Sequence, residues 1–138
     1  MMNIALLLKP KMTVAYLTVE NTIRQGLEKM RHHGYTEIPV TDKQGIYVGT
    51  ISEGDFLWYI YDSGKLDKDD IEETTVETVI NTRRSPSVRI DATMRELLYH
   101  VVDQNFVPVV DDRGGFMGIV TRKDVLKCFV NPETFKED

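Results

Sequence analysis

Two short stretches set a hydroxyl and a carboxylate at the same spacing: Ser52-Glu53-Gly54-Asp55 and Thr121-Arg122-Lys123-Asp124. A Ser or Thr in the first position can cap a helix. An acidic residue three positions later can reach back to the amide of the cap, forming a capping box worth on the order of 1 kcal/mol. The same geometry can bind a ligand. Free amides and the dipole at a helix N-terminus attract phosphate, and the cap hydroxyl adds a donor. An Asp one turn later can accept hydrogen bonds from both hydroxyls of a ribose. Capping boxes favour Glu or Gln at the third position, whereas both quartets carry the shorter Asp. Their charges also differ, because Arg122 and Lys123 can neutralise a phosphate and Glu53 would repel one. The second quartet is therefore expected to be the better anion site, and the first the weaker or vacant one.

The elements that hold these quartets repeat. Pro39 and Pro108, Gly49 and Gly118, and Asp55 and Asp124 are each 69 residues apart. Upstream, Val19 and Ile90, Thr22 and Thr93, and Leu27 and Leu98 are 71 apart, so the first copy carries two extra residues near HHGYTEI. Each copy reads as an extended segment and a Thr-capped helix with apolar residues at helical spacing (Ile23, Leu27, Met30; Met94, Leu97, Leu98, Val101). A proline-containing strand, a glycine turn, a second strand and a closing helix from Ser52 or Thr121 complete it. The unit is β-α-β-β-α, too small to be comfortable alone. The expected fold class is α+β, with two such repeats packed sheet to sheet with pseudo-two-fold symmetry. Residues 1–62 form the first repeat, 63–78 an acidic linker and 79–138 the second, together one domain.

Composition excludes several function classes. The net charge is −5 and no Lys/Arg block occurs, so no basic footprint for nucleic acid exists. Arg83, Arg84 and Arg89 form a local anion site at most. The apolar run IALLL is too short for a membrane span and lacks a cleavage site after it. The lone Cys128 fits a reducing cytoplasm. His32 and His33 point about 100° apart on a helix and His100 is distant, so no metal site is expected. Trp58, Tyr59 and Tyr61 continue the helix begun at Ser52 and read as a dimer contact. No GxSxG, P-loop or HExxH appears, and Cys128 has no neighbouring His, so an enzyme is not expected.

The stretches GYTEIPVTD with GTISEGD, and NFVPVVDDRGGFMGIVTRKDVL, resemble the tandem cystathionine beta-synthase (CBS) domain pair, or Bateman module, of the stand-alone bacterial type. The resemblance covers roughly residues 4 to 130. It implies a regulatory module that binds an adenosine-containing ligand (AMP, ADP, ATP, S-adenosylmethionine or cyclic di-AMP), forms a homodimer and acts on a separate effector protein. It also implies that each cleft takes its ribose Asp from one repeat and its base pocket from the other. Thr121, Arg122 and Asp124 would then work with Ala15, Tyr35, Thr36, Ile38 and Pro39. Ser52 and Asp55 would work with Pro86, Asn105 and Val107 in a weaker second cleft. No catalytic cofactor is implied. The rival expectation is a ligand-free dimerisation or interaction module that keeps the fold, and Glu53 supports it.

Overall fold

The computed structural model describes residues 3–80 and 85–130. After a 3-10 turn at Ile4–Leu7 come β1 (Lys9–Pro10), β2 (Leu17–Thr18), α1 (Ile23–His33), β3 (Glu37–Thr41), β4 (Tyr47–Ser52) and α2 (Glu53–Ser63). Then follow α3 (Lys68–Glu73), α4 (Val76–Val79), β5 (Val88–Arg89), α5 (Met94–Val101), β6 (Phe106–Val110), β7 (Phe116–Thr121) and α6 (Arg122–Val130). The described residues divide into two compact units, one of residues 15–80 and the other of residues 3–14 with 85–130. This mixture of helices and two sheets is the expected α+β class.

The 15–80 unit has a three-stranded sheet in the order β2-β3-β4, with β2 parallel and β4 antiparallel to β3. Thr22 caps α1 in a closed capping box with Gln25, and Gly34 ends it at φ +71°, a left-handed conformation that glycine adopts without penalty. The extra length of the first copy is taken up here, since α1 has 11 residues and its counterpart α5 has 8. Gly26 of α1 leaves room for the closing helix, because a Cβ there would lie 3.0 Å from Phe56 Cζ and 3.2 Å from Leu17 Cδ1. The corresponding residues of the second copy are Leu97 and Val125, both fully buried. One repeat therefore puts its bulk on the closing helix and the other on the leading helix, a swap that keeps the core filled.

The stretch read as a linker from the sequence is part of this unit. Val76 is fully buried in its core, and its N–H donates to the Asn21 carbonyl at 2.7 Å. The Ile23 N–H donates to the Thr74 carbonyl at 2.9 Å, and Arg24 pairs with Glu72 at 3.0 Å. The acidic residues of α3 mask the few apolar ones that bind it to the core.

The other unit has a four-stranded sheet in the order β1-β7-β6-β5. Its second-repeat strands copy the first sheet, with β5 parallel and β7 antiparallel to β6. β1 joins them at the edge: it pairs antiparallel with β7, Lys9 opposite Ile119 and Pro10 opposite Gly118. Gly118 has φ +149°, and a Cβ on it would overlap the Lys9 carbonyl, so only glycine fits. Ile4 and Leu7 are buried in the same core as Leu97, Val125 and Cys128. The N-terminal residues, counted with the first repeat from the sequence, thus pack on the second, because that is where their apolar side chains are covered.

Candidate functional site

The second quartet lies where β7 hands over to α6. The Asp124 N–H donates to Thr121 Oγ1 at 3.2 Å, so Thr121 caps the helix as its position predicts. The Asp124 carboxylate does something else. Its nearest cation is Lys9 Nζ, 3.7 Å from Oδ2, and among the described residues it accepts no hydrogen bond from the protein. Its side chain is 20% exposed. The open end of a helix thus presents a carboxylate whose lone pairs remain available to a pair of hydroxyl donors.

Arg122 faces away from that carboxylate. Its N–H donates to the Asn105 carbonyl at 2.8 Å, and its Nε donates to the Val101 carbonyl, also at 2.8 Å. Val101 is the last residue of α5, where unpaired carbonyls gather and a guanidinium is favoured. Arg122, Lys123 and Lys127 line a concavity of about 520 Å³ with Asn105, Leu126 and Val130. Asp124 lies about 200° around the helix from Arg122, on a different face.

The first quartet closes on itself. The Asp55 N–H donates to Ser52 Oγ at 3.1 Å, and the Ser52 N–H donates to Asp55 Oδ2 at 2.8 Å, so both halves of a capping box are made. The Glu53 N–H donates to the Thr36 carbonyl at 3.1 Å, matching the Arg122 bond to Asn105 in the other copy. The adjoining concavity, about 400 Å³, is lined by Leu27, Met30, Arg31, Gly34, Tyr35 and Glu53. The two copies therefore agree in backbone and differ in what their carboxylates do.

A family model for the CBS domain matches the chain twice, over residues 10–62 and 72–131. The chain belongs to the CBS-domain family. Cyclic di-AMP receptor B of Bacillus subtilis (strain 168) is 31% identical over 114 residues, which is 83% of this chain and 77% of that protein. Among solved structures, CbpB in complex with c-di-AMP matches with a TM-score of 0.86 at 28% identity, covering 96% of this chain and 87% of that one. A CBS domain protein from Streptococcus pneumoniae TIGR4 matches with a TM-score of 0.81 at 30% identity, covering 94% of this chain and 87% of that one.

Within the first CBS repeat, Ala15 and Ile38 are buried in the core, and Pro39 is buried in β3. These residues can offer a ligand backbone atoms, whereas their side chains serve packing. Tyr35 is half-buried with its ring tilted against His33 at 5.5 Å, and Thr36 is exposed. Within the second CBS repeat, Pro86 and Asn105 are exposed while Val107 is fully buried. The sequence reading put Asn105 and Arg122 in opposite clefts, and the structure joins them through the Arg122 amide. Arg83 and Arg84 lie outside the described residues, and Arg89 is an exposed partner of Asp91 at 3.5 Å.

Two residues of the second CBS repeat's unit escape a reading of the sequence. Gln104 is buried, its Nε2 donating to the Pro86 and Phe106 carbonyls at 3.3 Å each while Oε1 meets His100 Nδ1 at 3.0 Å. It holds the entry to β6 beside Pro86 and Asn105. Lys9 reaches Asp124 because β1 joins β7, a pairing between residues far apart in sequence. Cys128 donates from Sγ to the Asp124 carbonyl at 3.4 Å. Burial first, and then the Asp124 charge, push its thiol pKa up, the opposite of what a nucleophile needs.

Proposed function

We propose that the chain is a regulatory module that binds an adenosine-containing ligand and signals to a separate effector protein, with no catalytic step of its own. Asp124 takes the ribose hydroxyls, and Thr121 with the N-terminus of α6 takes phosphate. The observation that carries this reading is the contrast between the two carboxylates: that of Asp55 is held in a capping box, while that of Asp124 accepts no protein hydrogen bond among the described residues. The ligand named for Cyclic di-AMP receptor B and for the CbpB complex is an adenine dinucleotide; its 3′-oxygens are esterified, so each of its riboses offers Asp124 a single 2′-hydroxyl, where AMP offers a pair. The capping box at Ser52 and Asp55 makes the first quartet the weaker site.

The module works in the cytoplasm as a homodimer. Leu57, Trp58 and Tyr61 of α2 are 63%, 61% and 75% exposed, with Trp58 edge-on to Tyr61 at 5.8 Å, an aromatic face suited to a second copy. Ligand binding shifts the population of conformers that the effector reads, and such coupling is worth about 1–3 kcal/mol.

Calorimetric titration with AMP, ADP, ATP, S-adenosylmethionine and cyclic di-AMP tests the proposal. At least one of these ligands is expected to bind, and Asp124→Asn to weaken it by about tenfold or more through loss of a charged acceptor. Failure of all five to bind, or unchanged binding by Asp124→Asn, would sink the reading.

A further inference from the structure

We infer that Lys9, on the N-terminal strand, recognises the phosphate of the ligand whose sugar Asp124 takes, which makes β1 part of the binding site. The inference rests on the reading of Asp124 as a sugar ligand given above. It starts from how firmly Lys9 is placed. β1 lies against β7 with Lys9 opposite Ile119, two residues before the Thr121 cap. The approach is so close at Gly118 that a single added carbon would overlap the Lys9 carbonyl. A strand held this way brings the same side chain to the helix start each time the fold forms.

The ammonium is placed but not used up. It lies 3.7 Å from Asp124 Oδ2, well beyond the roughly 2.8 Å of a charge-assisted hydrogen bond, and the Lys9 side chain is 49% exposed. Its three donors are able to turn to a ligand. The cation that the sequence singles out first, Arg122, has its Nε committed to the Val101 carbonyl. Lys123 lines the concavity with Arg122, around the helix from Asp124. Among the described residues, the cation within ion-pair distance of Asp124 therefore comes from the arm.

A carboxylate with an ammonium beside it reads two features of a nucleotide together, vicinal hydroxyls and a phosphate. Before binding, Lys9 balances the charge of Asp124. On binding, the hydroxyls of the sugar hydrogen-bond the carboxylate and the ammonium moves to the phosphate, so each charged group keeps a polar partner.

The test is calorimetric titration of the full chain with adenosine and with AMP, for the wild type, Lys9→Met and Lys9→Arg. Lys9→Met is expected to weaken AMP by about tenfold and to leave adenosine unchanged, while Lys9→Arg keeps most of the AMP affinity. The melting temperature without ligand should agree to within about 2 °C for all three, since solvent screens the ion pair of the half-exposed lysine to a small contribution. Equal weakening of both ligands by Lys9→Met would overturn the inference in favour of a structural strand. Tightening of both would show that the ammonium merely covers Asp124, and no change in either would show that it does nothing; both results overturn the inference. Asp124→Asn in the same titration separates the two ideas. If Asp124→Asn loses both ligands while Lys9→Met is silent, only the role of Lys9 falls. If Asp124→Asn binds both as the wild type does, the sugar reading falls and takes Lys9 with it, and if the wild type binds neither ligand, the inference about Lys9 falls while the sugar reading is decided by the other ligands of the panel.

Discussion

Replacing Asp55 and Asp124 by Ala, one at a time and without nucleotide, should have unequal effects although the residues are equivalent in the repeat. Asp55→Ala removes a 2.8 Å bond from the Ser52 N–H to a charged acceptor and an acidic group from the first turn of α2. The bond is worth about 1 to 1.5 kcal/mol and the dipole contact about 0.5, giving a loss of about 1.5–2 kcal/mol. Asp124→Ala removes a similar dipole contact and a 3.7 Å ion pair to a half-exposed lysine, which solvent screens to a few tenths, so the loss is about 0.5–1 kcal/mol. For a chain of this length each kcal/mol corresponds to about 4 °C in melting temperature. Asp55→Ala should therefore melt about 6–8 °C below the wild type and Asp124→Ala about 2–4 °C below it. Urea denaturation at low and at high salt provides the assay. Salt should erase much of the smaller difference and little of the larger one, because exposed charge pairs are screened and a short cap bond is not. If Asp124→Ala costs as much as Asp55→Ala, Asp124 is a cap, and the contrast that supports ligand binding is gone.

Other perturbations follow from the same coordinates. Gly118→Ala should cost about 3 kcal/mol or more, from the left-handed φ and the overlap with the Lys9 carbonyl, and hydrogen exchange should show β1 released from β7. Gly26→Ala should destabilise by about 1 kcal/mol, since crowding of Phe56 outweighs the helix propensity gained. In a Phe56→Val background the same change should stabilise by about 1 kcal/mol, and denaturation of all four variants would expose the absence of that sign reversal. In the β6–β7 turn, hydrogen bonds from the Arg113 and Gly115 amides hold the Asp111 carboxyl below its ordinary pKa. Because its folded value is the lower one, Asp111 favours the fold above about pH 4 and loses that effect as pH falls through the folded value. The Gly115 amide shift, followed by NMR through that range, should report a midpoint below 4, and a midpoint at or above 4 contradicts the assignment.

Much of the fold is written in local pattern. Thr22 and Thr93 start helices because their hydroxyls accept from the third amide onward, and the short apolar runs around Pro39 and Pro108 give the paired strands. What stayed hidden depends on partners far away in sequence. Gly118 meets a strand from the N-terminus, and nothing near it in the sequence announces that partner. Residues 63–78 look solvated because most of their side chains are, while Val76 supplies the burial that makes them structural. The basic character of the second quartet was legible, but the direction of Arg122 was not, since that is set by the exposed carbonyls at the end of α5. Likewise an Asp in the third position of a helix does not reveal whether it reaches back, and Asp55 does so where Asp124 faces Lys9.

The N-terminal arm also bears on how the molecule comes into being. Lys9 finds its partner Ile119 only after 110 further residues have been made. A ribosome delivers the 15–80 unit as one continuous piece that can fold as it emerges, whereas the other unit needs residues 3–14 together with residues 85–130. Until β7 exists, Ile4 and Leu7 have no core to enter, and closing so long a loop is entropically slow. Lys9 is thus made well before β7 and put in place only once β7 has formed, so this corner of the fold is completed late.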